Sequence, residues 1–210
     1  MIGRLVRRLA GPFEPQLADA YRALFFDVEG FAQRIAWLGE PALVVEIGCG
    51  EGALVDALAQ VLPRTRFVGV DVSPQVGRLF RGDVSRVRFA CADATAIAHQ
   101  YAGQADLVLV CDVMHHAPPV AQHALWDAAA RLVRPSAGRL ILKEWVKNGT
   151  PVHHLGWVSD RFITGDRVTY QPRAHWARAA ERAGWQVEAE WVLAPWATNH
   201  AFVLRRRSGP

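Results

Sequence analysis

The chain has 210 residues, 51% of them apolar and 21% charged, which suits one α/β domain with a substantial core and excludes a disordered chain. No apolar run reaches bilayer length, and Arg4, Arg7 and Arg8 break up the first ten residues, so a cytoplasmic location is expected. The net charge of +4 does not make a nucleic-acid binder: apart from Lys143 and Lys147 the basic residues are arginines spread along the chain, with no recognition motif beside them.

In chain order, Glu14 to Leu38 reads as one or two helices, with apolar positions at Leu17, Tyr21, Leu24, Phe25, Val28 and Phe31. Ala42 to Ile47 is an apolar run typical of a buried parallel strand. Gly48, Gly50 and Gly52 then turn the chain, and Ala53 to Leu62 continues with helical periodicity. This turn delivers bare backbone to a helix N-terminus, whose first amides have no partner inside the helix. A second strand, Phe67 to Asp71, ends on an acid placed where a nucleotide-binding half presents a carboxylate to ribose hydroxyls.

Pro74 to Phe80 reads as a short helix, Arg88 to Cys91 as strand three, and Asp93 to Tyr101 as a helix. Asp106 to Cys111 is strand four, Val120 to Val133 a helix, and Arg139 to Lys143 strand five. Lys147 to Tyr170 is too long for an ordinary connection and is rich in Trp, His, Asp and Gly, as functional insertions are. Pro172 to Ala183 is a helix stopped by Gly184. Val187 to Leu193 and His200 to Arg205 close the chain as an antiparallel pair. Cys49, Cys91 and Cys111 show neither disulfide nor metal spacing, so each is expected to be a small buried apolar residue and no metal site is expected.

These segments, in this order, resemble the class I S-adenosylmethionine-dependent methyltransferases over residues 42 to about 145. Val45-Glu46-Ile47-Gly48-Cys49-Gly50-Glu51-Gly52 is similar to the family's first motif and Gly69-Val70-Asp71-Val72-Ser73 to its second. Ala92-Asp93-Ala94 resembles the third, and Asp106 to Cys111 with Asp112-Val113-Met114-His115-His116 the fourth. Arg134-Pro135-Ser136-Ala137-Gly138-Arg139 departs from the usual Pro-Gly-Gly turn by one missing glycine. The resemblance implies a doubly wound α/β fold of Rossmann-like type. Its seven-stranded, mostly parallel sheet would have an antiparallel last strand and an N-terminal helical lid. Residues 1–210 would form a single domain: a cap (1–40), a cofactor core (41–145), a substrate insertion (146–171) and a closing helix with strands (172–210).

The implied cofactor is S-adenosylmethionine. Its methionyl end would lie against Gly48, Cys49, Gly50 and Gly52, with Glu46 and the Cys111 carbonyl drawing its ammonium group. Asp71 would bind the ribose, Val72 would cover adenine, and Asp93 and Ala94 would read the adenine edge. Met114 would complete the cofactor site. Asp93 alone would be read as a helix cap.

Methyl transfer needs alignment first and a base second, and His115 is the first candidate for the base, since some oxygen methyltransferases of the family carry it at the matching position. An imidazole titrates near neutrality and can take a hydroxyl proton. Base and loop scaffold stay open for His115, scaffold is preferred for His116, and His154 is a second candidate. A structural hydrogen bond is expected of Asp112, and a salt-bridged strand end of Lys143-Glu144. The acceptor would meet Tyr21, Phe25, Phe26, His116, His153, Trp157, Asp160, Arg161 and Tyr170, an aromatic set suited to a planar or conjugated molecule.

The reading is therefore methylation of a small acceptor, hydroxyl oxygen first, in natural-product or pigment chemistry. An anionic or carrier-bound acceptor, carbon or nitrogen acceptors, and nucleic-acid methylation stand as alternatives. A short-chain reductase is set aside because Tyr21, Tyr101 and Tyr170 are followed four residues later by Phe25, Ala105 and Ala174 rather than Lys.

Overall fold

The computed structural model describes residues 25–158 and 168–207. Helix α1 is Val28–Ala36; strand β1 Leu43–Ile47 leads to α2 Ala53–Val61 and β2 Arg66–Asp71. Strand β3 is Val87–Cys91, followed by α3 Ala94–Gln100, β4 Leu107–Cys111 and α4 Pro119–Leu132. The second half has β5 Arg139–Trp145, α5 Pro151–Val158, α6 Arg173–Arg182, β6 Trp185–Leu193 and β7 Asn199–Arg206. The strands form one sheet in the order β3-β2-β1-β4-β5-β7-β6. Every pairing from β3 to β5 is parallel, and β7 runs antiparallel to both β5 and β6.

Side chains alternate across the strands, so each face of the sheet acquires its own core. Val45, Val108 and Leu140 point one way, onto Ile97 of α3, Trp126 of α4 and Trp176 of α6. Val44, Leu109 and Ile141 point the other way, onto Phe31 and Ile35 of α1 and Leu54 and Leu58 of α2. Strand β1 is buried at all five positions because β2 and β4 pair with its edges while helices cover both faces. Between β1 and β4 the strand order reverses, which opens a crevice at the carboxyl ends of the strands.

Local signals fix the helix starts. Asp27 caps α1 by accepting from Gly30 N at 2.8 Å, and Asp93 caps α3 by accepting from Ala96 N at 3.0 Å. Helix α2 begins at Gly52 with no side-chain cap, so its first amides stay available at the crevice. In the turn before β5, Ser136 takes the left-handed conformation, φ +62°, that the missing glycine would have adopted easily.

Residues 74–80 form turns rather than the expected short helix. Their amides are committed elsewhere: Gly77 N donates to Gly50 O at 3.1 Å and Leu79 N to Glu51 O at 2.8 Å, bracing the glycine turn. Gly77 also sits so close to Phe89 that a Cβ there would lie 2.4 Å from the ring. Cys91 corrects another expectation: it is exposed at the end of β3, whereas Cys49 is buried. Most of the expected N-terminal lid, with Leu17, Tyr21 and Leu24, lies outside the described residues. Among the described residues no helix is long and apolar enough to cross a membrane.

Candidate active site

The turn after β1 is held from β2. Gly48 N and Cys49 N both donate to Val70 O, at 2.7 and 3.1 Å. Asp71 closes the arrangement: its Oδ2 accepts from Gly50 N at 2.8 Å and its Oδ1 from Ser73 N at 2.8 Å. Each oxygen of a carboxylate can accept a second hydrogen bond, so the clamp and a hydroxyl-binding role are compatible. Gly48 has φ +73°, and a Cβ there would come within 2.2 Å of Val113, so no other residue fits. A Cβ at Gly50 would meet nothing within 4 Å, so that side of the turn is open.

Gly48, Asp71, Val72, Asp93 and Ala94 line one cleft of about 380 Å³, which brings five residues singled out in the sequence to one place. Val72 is 76% exposed on this cleft, an apolar side chain left uncovered. Asp93 joins the cleft while capping α3, so the two readings of that residue coexist. Met114 does not join it: its side chain is fully buried in the core beneath α4, because the Met114–His116 turn points it inward.

Glu46 lies on β1 beside Leu109 of β4, and only 4% of it is exposed. Among the described residues its Oε2 has no hydrogen-bond partner. Burial, and then the charge of Asp71, push its carboxyl up to about 8.

The turn that leaves β4 carries the second part of the site. His115 is buried, and its Nδ1 lies 2.6 Å from Oε2 of Glu144 on β5. The other oxygen of Glu144 accepts from Met114 N at 2.8 Å. With a carboxylate as its partner, Nδ1 carries the proton, which makes Nε2 the basic nitrogen. Gln122 of α4 ties the turn down by donating to Met114 O and Ala117 O, and Thr169 N donates to His115 O. The ring of His116 lies tilted 4.2 Å from that of His115, centroid to centroid, and that of Tyr170 5.1 Å from it.

Lys143 and Glu144 are both ion-paired near the end of β5, as expected, each with a different partner. They face opposite sides of β5, so Lys143 reaches Asp112 at 2.5 Å and places its ammonium 4.1 Å from the ring centroid of Phe26. Asp112 thus makes the structural bond expected of it, from a left-handed backbone at φ +55°.

Of the expected acceptor residues, His153 is buried on α5 with its ring 5.3 Å from Tyr170. His154 lies on the exposed side of α5, and Trp157 on the same helix is 43% exposed. Phe25 packs edge-on to Trp145. Tyr21, Asp160 and Arg161 fall outside the described residues. Sequence reasoning missed Glu144 as the partner of His115, although an acid ending the strand beside β4 was the available signal, and it missed Gln122 and Thr169.

A family model described as a methyltransferase domain matches residues 44–136, from the first strand through the turn before β5. Over that stretch the chain is similar to methyltransferase domains. A tRNA (guanine-N(7)-)-methyltransferase of Magnetococcus marinus is 29% identical over 116 residues, 49% of this chain and 46% of that protein. This chain thus spans about half the length of the curated relative it matches. The mitomycin 7-O-methyltransferase MmcR superposes with a TM-score of 0.69 at 18% identity, over 97% of this chain and 60% of its own. A Burkholderia thailandensis 1,6-didemethyltoxoflavin-N1-methyltransferase, solved with S-adenosylhomocysteine, superposes with 0.67 at 18% identity, over 99% of this chain and 91% of its own.

S-adenosylmethionine is the cofactor that the sequence resemblance implies, and the residues present fit it. The orphaned Glu46 oxygen suits an ammonium group, the open face of Gly50 admits close approach, and the uncovered Val72 suits an aromatic ring.

Proposed function

We propose that the protein transfers the methyl group of S-adenosylmethionine to a hydroxyl oxygen of a small aromatic or conjugated acceptor, with His115 as the general base. The observation that carries this reading is the buried His115–Glu144 pair on the turn that also borders the cofactor cleft. Glu144 fixes the tautomer of His115 and favours the imidazolium that forms when the ring takes a proton.

The bound cofactor supplies an electrophilic sulfonium methyl; the chain supplies position and a proton acceptor. Asp71 would hold the ribose end and Glu46 the ammonium end of the cofactor. Val72 would cover one face of the adenine, Asp93 and Ala94 would read its edge, and the Cys111 carbonyl would assist Glu46. His115 Nε2 takes the hydroxyl proton as the new bond forms, and Glu144 holds the ring while it is charged. Alignment contributes roughly 7–11 kcal/mol to such a reaction, against about 10²–10⁴-fold from a base. The aromatic neighbours Tyr170 and His153 make the acceptor side suited to a ring.

A nitrogen acceptor that must lose a proton would use the same pair, and a natural-product or pigment intermediate in the cytoplasm is the expected setting. The decisive experiment is a screen with methyl-labelled cofactor over phenols, aromatic acids and aromatic amines. Label in phenols that is lost in Glu144→Gln supports the reading. Label confined to tRNA or to amines refutes the hydroxyl assignment.

A further inference from the structure

A groove of about 870 Å³, more than twice the volume of the cofactor cleft, runs between α4 and α6. It opens at His115 and His116. Along α4 it follows Gln122, Trp126 and Asp127, and along α6 it follows His175, Ala179 and Arg182. These positions recur at helical spacing, so each helix turns one continuous face to the groove. From Pro119 to Asp127 the helix rises by about 12 Å.

Three features point to a ligand rather than to a packing defect. His116, Ala117 and Pro118 line both this groove and the cofactor cleft, so the two spaces meet at the turn that carries the candidate base. The walls are apolar where a ring or chain would lie, at Trp126, Ala179 and Ala183, and the small alanines leave the width. The far end is basic. Arg182 lines it, Arg178 lies one turn earlier on α6, and burial followed by the charges of Arg182 and Arg178 holds the His175 imidazole below its usual range. Asp127 is the acid of the lining.

We propose that this groove holds the methyl acceptor, and that the acceptor is an elongated molecule with its hydroxyl at His115 and an anionic group near Arg182. This rests on methyl transfer at His115 and adds to it the shape and charge of the substrate. Neither composition nor motif spacing indicates it, because the two walls lie some fifty residues apart in the chain.

The test uses the full chain with S-adenosylhomocysteine and a matched pair of probes: a phenol on a long alkyl chain ending in a carboxylate, and its primary amide. Calorimetry should give roughly tenfold tighter binding for the acid, the worth of one exposed charge-assisted contact. Arg182→Ala should remove that preference and leave amide binding unchanged. Asp127→Asn should tighten the acid, a gain that misfolding cannot mimic. Ala179→Trp should block both long probes and spare a short phenol. Equal binding of acid and amide in the wild type, or an acid preference that survives Arg182→Ala, overturns the groove assignment. Charge-dependent binding without any methyl transfer to the phenol would keep the groove and sink the hydroxyl reading instead.

Discussion

Glu144 divides its carboxylate between two neighbours on one turn, the Nδ1 of His115 at 2.6 Å and the backbone N–H of Met114 at 2.8 Å. One acid on β5 therefore fixes both the orientation of the imidazole and the path of the chain that presents it. Glu144→Gln keeps the shape but offers Nδ1 a side chain that no longer favours an imidazolium. Turnover should fall roughly 10²-fold, with cofactor affinity nearly intact. His115→Ala should fall as far, and the double variant little further, because the pair acts as a unit. Steady-state kinetics with calorimetry of cofactor binding checks this. Additive losses would separate the two roles.

Asp71→Ala removes the proposed ribose contact and also leaves Gly50 N and Ser73 N without their acceptor. Cofactor affinity should drop about 100-fold or more, as two charge-assisted hydrogen bonds are lost. The melting temperature of the free protein should fall as well, because the glycine turn loses its clamp. An unchanged dissociation constant would remove Asp71 from the cofactor site.

Glu46 gives a pH dependence with a defined sign. Its carboxyl is raised to about 8, by burial and then by Asp71, above the ordinary glutamate value of 4.5. The native state therefore favours the protonated form. The stability this provides is complete below pH 4.5 and is lost as the pH rises through about 8. Glu46→Gln should flatten that part of the stability profile. An ammonium group placed beside Glu46 reverses the preference, so cofactor binding at pH 7 should expel a proton. Calorimetry in buffers of different ionisation enthalpy will show that proton in the wild type and not in Glu46→Gln.

Lys143 is almost wholly buried between Asp112 and the ring of Phe26. Lys143→Met leaves the Asp112 carboxylate without its counter-charge and should cost roughly 2 kcal/mol, less than a fully buried pair because Asp112 stays partly exposed. Adding Asp112→Asn should recover part of that loss in denaturant titrations. If the single and double variants are equally stable, the pair contributes no coupling.

Much of the site was legible before any fold was known. Strand, glycine turn and acid form a local pattern, and the cleft brings Gly48, Asp71, Val72, Asp93 and Ala94 together as that pattern implies. Residues 74–80 depart from the expected helix because Gly77 N and Leu79 N bond to Gly50 O and Glu51 O while the amides next to them close single turns, a choice made by distant partners. Met114 was misplaced for a similar reason: its position in the motif is clear, but the direction of its side chain depends on the core under α4.

Taken alone, the amino-acid order indicated the mostly parallel sheet, the glycine turn after its first strand and the acid that ends its second, because these are written in local runs and spacings. Only the tertiary structure decided that Glu144 serves His115 while Lys143 serves Asp112, and that α4 and α6 enclose a basic-ended groove. The register of β4 against β5, which sets Cys111 beside Lys143, assigns those partners. Consecutive residues of a strand project to opposite faces, so which face meets which neighbour is fixed by packing and is not written in the spacing of residues along the chain.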